Sequence, residues 1–227
     1  MVSSTNLHLT PTEEDYLKAI FKIAETEQKT VSTNSIAKHL KTSAASVTDM
    51  LKKLAEKSLI HYKPYHGVSL TSLGNQKATS LIRKHRLWEV FLVKKLKFKW
   101  NEIHEIAEQL EHIKSEELIM RLDNYLDNPK FDPHGDPIPN AQGKFTLRTQ
   151  IPLCDLGEGS SGILIGVKEN NDEFLQYLNA ISVKLGTHFK VLERISFDKS
   201  FKVIIDHDEV VMIGEKASQC LLLKRAQ

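Results

Sequence analysis

"TSAASVTDMLKKLAEKSLI", residues 42–60, decides the fold of the front of the chain. It reads as a helix. "STNSIAKHL" (32–40) reads as a shorter one before it, with only Lys41 and Thr42 between their periodic parts. Two helices joined by a tight turn make a helix-turn-helix candidate. "LIHYKPYHGVSLT" (59–71) then alternates, holds Pro64 and Gly67, and reads as a two-stranded hairpin, which in that position is a wing. At the start of the longer helix Ser43, Ala44, Ala45, Ser46, Thr48 and Asp49 are small or polar and suit close approach to base edges in a major groove. Lys52 and Lys53 follow where phosphates would lie. On the wing, Tyr62, Lys63, Tyr65 and His66 suit backbone or minor-groove contact, with hairpin packing the alternative for the tyrosines. Winged helices also serve as protein-interaction modules, so the pattern alone leaves both uses open.

Working outward, "TEEDYLKAIFKIAE" (12–25) is a first helix running to about Glu27, with a Thr-x-x-Asp capping arrangement in front. After the hairpin come a long amphipathic helix, "SLGNQKATSLIRKHRLWEVFLVKKL" (72–96), and two more, "NEIHEIAEQLEHI" (101–113) and "SEELIMRLDNYL" (115–126). Five of the seven prolines lie between Pro129 and Pro152, a composition that reads as a linker. Beyond it "SGILIGVK", "THFKVLERI", "SFKVIID" and "EVVMIGE" read as short strands, with one helix at "EFLQYLNAI". The expected fold is mainly α, ending in a small, mostly β barrel.

The 227 residues, 41% hydrophobic, suffice for one large domain or two smaller ones. No apolar run nears the roughly 18 to 20 residues of a membrane span, and the N-terminus lacks a basic region followed by an apolar run. No membrane association and a cytoplasmic location are therefore expected. Cys154 and Cys220 are too few and too far apart for a disulfide framework or a thiolate zinc site, and read as packing residues. The charge is unevenly spread. Residues 32–70 carry six lysines against two acids, 71–99 eight Lys or Arg against Glu89 alone, and 101–128 two basic residues against eight acids. A basic front beside an acidic middle suggests a polyanion for one and cations for the other.

The acidic middle holds "HEIAEQLEHI" (104–113). At about 100° per residue, His104, Glu108, Glu111 and His112 share an arc of roughly 100°, while Ile106, Leu110 and Ile113 point away. Upstream, His85 and Glu89 stand four apart on one helical face, and Asp15 lies on the first helix. Imidazole and carboxylate ligands at helical spacing, without thiolates, suit Mn²⁺, Fe²⁺ or Zn²⁺. A solvated or structural face is the plain alternative. One histidine-rich and one carboxylate-rich set suggest two sites.

At these residues the chain resembles the diphtheria toxin repressor family of metal-dependent transcriptional regulators, above all its manganese-responsive branch. "EEDYLKAIFKI", "SAASVTDMLKKL", "LTSLG", "RKHRLWEVFL", "IHEIAEQLEHIKSEEL" and "PHGDPIP" stand in the family's order and spacing over almost the whole length. The resemblance implies a winged helix-turn-helix DNA-binding domain (1–72), a helical metal-binding and dimerisation domain (73–140), a linker (141–150) and an SH3-like domain (151–227). It implies a homodimer on a palindromic double-stranded operator, with a divalent metal as co-repressor. Carried over by position, the primary site is Asp15, Glu108, Glu111 and His112, and the second is His85, Glu89 and His104. Glu173 is the expected further donor to the second site, and Asn170 occupies the family's other ligand position there. Hard oxygen donors at Asp15 and Glu108 favour Mn²⁺, with Fe²⁺ the alternative. The best-known small manganese regulators have a glutamate where Lys18 stands, so two separated ions per subunit are expected in place of a two-metal cluster.

Asp15, Glu108 and Glu111 converging without metal would repel one another, so the first helix should be held loosely until a cation arrives. Arg83, Lys84 and Arg86, beside the second site, offer phosphate contacts or a solvated face. The rivals are a carboxylate-bridged metalloenzyme, a metal-independent regulator and an interaction module. The ferritin-like arrangement needs Glu-x-x-His on two helices, and no such pair occurs, nor does a P-loop or nucleophile elbow.

Overall fold

Two serines start the paired helices. Ser32 Oγ accepts the Ser35 N–H (3.0 Å) ahead of α2 (Thr33–His39), and Ser43 Oγ accepts the Ser46 N–H (3.1 Å) ahead of α3 (Ala44–Glu56). Each cap satisfies a backbone donor that the first helical turn leaves without a partner. The computed structural model describes residues 8–27, 30–64, 66–206 and 209–226.

The first helix, α1 (Pro11–Glu27), begins one residue earlier than the sequence reading places it. Its capping pair is Thr10 with Glu13: the Glu13 N–H donates to Thr10 Oγ1 (3.3 Å) and the Thr10 N–H donates back to Glu13 Oε2 (2.9 Å). Pro11 takes the first helical position, where a missing N–H costs nothing. Asp15 is thereby released from capping. The hairpin β1 (Ile60–Lys63) and β2 (Gly67–Leu70) pairs antiparallel from Ile60↔Leu70 to Lys63↔Gly67, and Val31 adds a bridge to Val68. Leu17, Ile20, Ile36, Val47, Leu51, Leu54, Leu59 and Val68 fill the core beneath it, each almost wholly buried.

After the hairpin runs α4 (Ser72–Lys94). Its first turn presses on the backbone between α3 and β1: a Cβ on Gly74 would lie 1.9 Å from the Leu59 carbonyl oxygen, so only glycine fits. Thr71 Oγ1 fastens the same corner, donating toward the Leu59 oxygen (3.0 Å) and accepting the Gly74 N–H (3.0 Å).

The chain folds as two compact units, one of residues 1–85, 109–115 and 139–144, the other of 86–108, 116–138 and 145–227. α5 (His104–Leu110) ends before Glu111, short of the expected residue 113, because the Ile113 N–H bonds Leu110 O and tightens the chain into a turn. In the second unit α6 (Glu116–Tyr125) precedes a loop that the sequence reads as linker. From Phe131 to Pro139 that loop is folded: Phe131 bridges Pro137, and Asp132, His134 and Ile138 are buried.

The remainder is a six-stranded antiparallel sheet in the order β3-β8-β4-β5-β6-β7. Its strands are β3 (Ile151–Pro152), β4 (Ser161–Val167), β5 (His188–Arg194), β6 (Phe201–Ile205), β7 (Glu209–Ile213) and β8 (Leu221–Arg225). Among the described residues no β7–β3 pairing closes it into a ring. Two helices accompany it, α7 (Asp172–Ala180) and α8 (Glu215–Cys220). Leu153, Leu164, Leu178, Phe189, Val203 and Leu223 form its core, and Trp100 packs into the same cluster while its indole N–H donates to Asn179 Oδ1 (2.8 Å).

Candidate metal centres

Three consecutive residues of α1 serve two partners, Glu13 one and Glu14 with Asp15 the other. Glu13 Oε1 meets Lys57 Nζ at the C-terminus of α3 (2.5 Å). Burial works to raise the Glu13 carboxyl, but the Lys57 and Thr10 hydrogen bonds outweigh it and hold it below the usual range. Glu14 Oε2 takes His112 Nδ1 (2.6 Å), and Asp15 Oδ1 lies 3.3 Å from His112 Nε2. With Nδ1–H donating to Glu14, Nε2 is the nitrogen presented beside Asp15, the arrangement in which a carboxylate orients a metal-binding histidine. Asp15, Glu111 and His112 each offer a ligand atom within 4.8 Å of the others.

Glu111 is fully buried, yet it is not a bare carboxylate awaiting a metal. Its oxygens accept from Lys18 Nζ (2.8 and 2.7 Å), and Oε2 also accepts from His85 Nδ1 (2.5 Å). Burial works to raise its carboxyl, and the His85 hydrogen bond with the Lys18 charge more than reverses that. The expected mutual repulsion of three carboxylates is therefore corrected: Lys18, on α1 itself, neutralises one of them. Glu108 stands with His104, Oε1 to Nε2 at 3.4 Å.

His85 donates through Nδ1 to Glu111; Glu89 follows one turn later on α4. In the second unit Glu89 Oε1 lies 3.8 Å from His104 Nδ1 and 3.8 Å from His134 Nδ1, too far for hydrogen bonds. Glu89, Asp132 and His134, all buried, form a further group of close ligand atoms. His134 Nε2 meets the Trp100 carbonyl oxygen (2.9 Å), which fixes that nitrogen as the donor; Nδ1 is buried with no hydrogen-bond partner. Burial, and then the charges of Glu89 and Asp136, push the Asp132 carboxyl well above the usual range. A buried ring nitrogen without a hydrogen-bond partner, beside crowded carboxylates, is a cost that a cation would remove.

Sequence reasoning missed Glu14, Asp132 and His134. The Asp-x-His of "DPHG" was the available signal, overlooked inside a proline-rich stretch. Glu173 is exposed on α7, lining a hollow of about 380 Å³ with Glu169, Phe174 and Tyr177. Arg83, Lys84 and Arg86 are engaged internally, against the phosphate reading. Arg83 donates to Pro139 O (2.8 Å), Lys84 to Ile113 O (3.2 Å), and Arg86 to Pro137 O (2.5 Å) and Asp136 (3.2 Å).

The cap Ser43 and, on α3, Ala44, Ala45, Ser46, Asp49, Lys52 and Lys53 are exposed, and Thr48 is half-buried. Thr48 Oγ1 donates to Ala44 O (2.9 Å), and Lys52 pairs loosely with Asp49 (3.3 Å). Lys63 and His66 are exposed on the hairpin, Tyr62 is half-buried, and Tyr65 lies outside the described residues.

Residues 8–68 match the iron-dependent repressor N-terminal DNA-binding domain, and 71–140 the iron-dependent repressor metal-binding and dimerisation domain. Residues 151–225 match the FeoA domain. The diphtheria toxin repressor of Corynebacterium glutamicum is 31% identical over 211 residues, 88% of this chain and 90% of that protein. The chain belongs to the diphtheria toxin repressor family. Family membership extends to structure: a manganese-dependent transcriptional repressor in complex with manganese superposes with a TM-score of 0.85 at 34% identity, covering 94% of this chain and 100% of that one. The chain spans less than two thirds of several other curated relatives. It covers 60% of the iron-dependent repressor IdeR of Mycobacterium leprae (33% identical over 151 residues, 66% of this chain). It covers 18% of a probable metal transport system membrane protein of Chlamydia trachomatis (44% identical over 79 residues, 35% of this chain). Among the described residues no helix is long and apolar enough to cross a membrane.

Proposed function

We propose that this family member is a transcriptional repressor that binds palindromic DNA as a homodimer with Mn²⁺ as co-repressor, Fe²⁺ being the alternative ion. The observation that carries the reading is the juxtaposition on the first turn of α1: Glu14 and Asp15 attend His112, and Glu13 holds the end of α3. Asp15, Glu111 and His112 are the proposed primary ligands. Glu89 with Asp132 and His134 is the proposed second site, with His104 and Glu173 as candidate further donors. The donors are oxygen and imidazole nitrogen without thiolate, a set that suits Mn²⁺ or Fe²⁺.

A bound divalent ion would supply Asp15 and Glu111 with positive charge beyond what Lys18 already gives Glu111. The chain's own residues do the rest. Glu14 fixes the His112 ring, Asp15 ties α1 to the segment after α5, and Glu13 passes the position of α1 to Lys57 and so to α3. The exposed start of α3 supplies Ser43, Ala44, Ala45, Ser46, Thr48 and Asp49 for base edges, with Lys52, Lys53 and Lys63 for phosphates. By linkage, whatever metal adds to DNA affinity DNA adds to metal affinity, typically 5–150-fold.

The test is binding of the purified chain to fragments of its own genome at fixed salt, in chelator, in micromolar Mn²⁺ and in anaerobic Fe²⁺. Binding that appears only with metal is expected, with Mn²⁺ at least as effective as Fe²⁺; binding indifferent to chelator overturns the co-repressor reading. Lys53→Ala should weaken binding evenly across sequences and lower the salt slope by about 1, as loss of one phosphate contact does. An unchanged slope removes Lys53 from the interface.

A further inference from the structure

Lys18 lies three residues beyond Asp15, on the same face of α1, and its side chain is 8% exposed. Both Glu111 oxygens sit within 2.8 Å of its ammonium, and His85 Nδ1 is 3.4 Å away. Burying an ammonium is costly unless it is paired, and here the pair consists of one residue from α1 and one proposed ligand. The consequences oppose one another. Before any metal is present, Lys18 pairs with both oxygens of the fully buried Glu111 and ties α1 to the segment after α5. Once a divalent ion joins Asp15, Glu111 and His112, the same ammonium is a like charge a few ångströms away, and such repulsion is large away from bulk water.

We propose that Lys18 is a built-in cation that sets the metal threshold of the site, holding Glu111 in place without metal and weakening the binding of the divalent ion. This deepens the metal reading of Asp15, Glu111 and His112 and rests on it. Lys18 is thus a positioning residue. It occupies one side of Glu111 permanently, so that the site fills only above a set concentration of free ion.

The experiment titrates Mn²⁺ into the metal-free full chain and reads the loss of the free-ion paramagnetic resonance signal, alongside melting of the metal-free protein. The component of the titration that Asp15→Ala removes defines the site. Lys18→Met should bind at that component at least tenfold more tightly with an unchanged number of ions, while its metal-free form melts several degrees lower. Lys18→Arg, which keeps the charge, should stay within about threefold of the native affinity. Lys18→Gln, which still offers Glu111 a donor, serves if the methionine variant fails to fold, and the same tightening is expected. Unchanged or weaker binding in the neutral variants overturns the proposal. If Asp15→Ala leaves the titration intact, the site assignment itself fails, and the proposal with it.

Discussion

Asp15→Ala should abolish metal-dependent DNA binding while leaving the metal-free fold intact. The Asp15 side chain is 45% exposed and takes no part in capping α1, which Thr10 and Glu13 accomplish. His112 keeps its Glu14 partner when Asp15 is removed, so the metal-free melting temperature should move by no more than about 2 °C. Loss of an orienting partner typically costs about 10–100-fold in metal affinity, so loss of a ligand should cost at least about 100-fold. Fluorescence anisotropy of a labelled operator fragment, titrated with Mn²⁺, gives the first quantity, and a thermal melt gives the second. A variant that still binds DNA in response to metal would show that the primary site lies elsewhere.

Gly135→Ala should be the most damaging single methyl in the second unit. Gly135 has φ +89°, a region side-chain-bearing residues rarely adopt, and its Cβ would lie 2.2 Å from Ile165 O and 2.4 Å from Gly166 Cα. Both neighbours are backbone of β4, so neither can swing aside. Strain of about 1–2 kcal/mol for the dihedral and about 1–3 kcal/mol for the forced fit implies a melting temperature lower by about 5–15 °C. The displaced loop also carries His134, whose carbonyl accepts the Val167 N–H (3.0 Å), and Asp132, whose Oδ1 accepts the N–H groups of His134 (2.8 Å) and Asp136 (2.9 Å). Mn²⁺ bound per chain, measured after gel filtration, should therefore fall by about one ion if the Glu89 group is a site. A native melting temperature and full occupancy would refute the close approach.

The helices and the hairpin were legible because their signals are local. Ser32 and Ser43 cap within three residues, and the periodic apolar positions of α3 bury Val47, Leu51 and Leu54. β4 to β7 were legible as alternating or apolar runs between turn residues. β8 was missed: "LLLKR" pairs with β4 and β3, far earlier in the chain, and its three leucines carry no period that separates strand from helix. The site was half legible for the same reason. His104, Glu108, Glu111 and His112 announce themselves by spacing. Glu14 gains a role only through His112, 98 residues on, and the charge balance of Glu111 only through Lys18, 93 residues back. Asp132 and His134 stood in plain sight, but five prolines made their surroundings look like a tether.

The order Glu13, Glu14, Asp15 has a consequence for how such a sensor can change. Detection and output, if assigned as proposed, are separated by a single peptide bond, on a rigid cylinder that rises only about 1.5 Å per residue. No flexible relay has to carry the message. A substitution at 14 or 15 can retune which ion is detected and leave the grip on Lys57 untouched, whereas a one-residue insertion or deletion between 13 and 14 would turn the two faces out of phase by about 100°. Ion preference is thus open to point mutation, while the phase between the two faces tolerates no change in length.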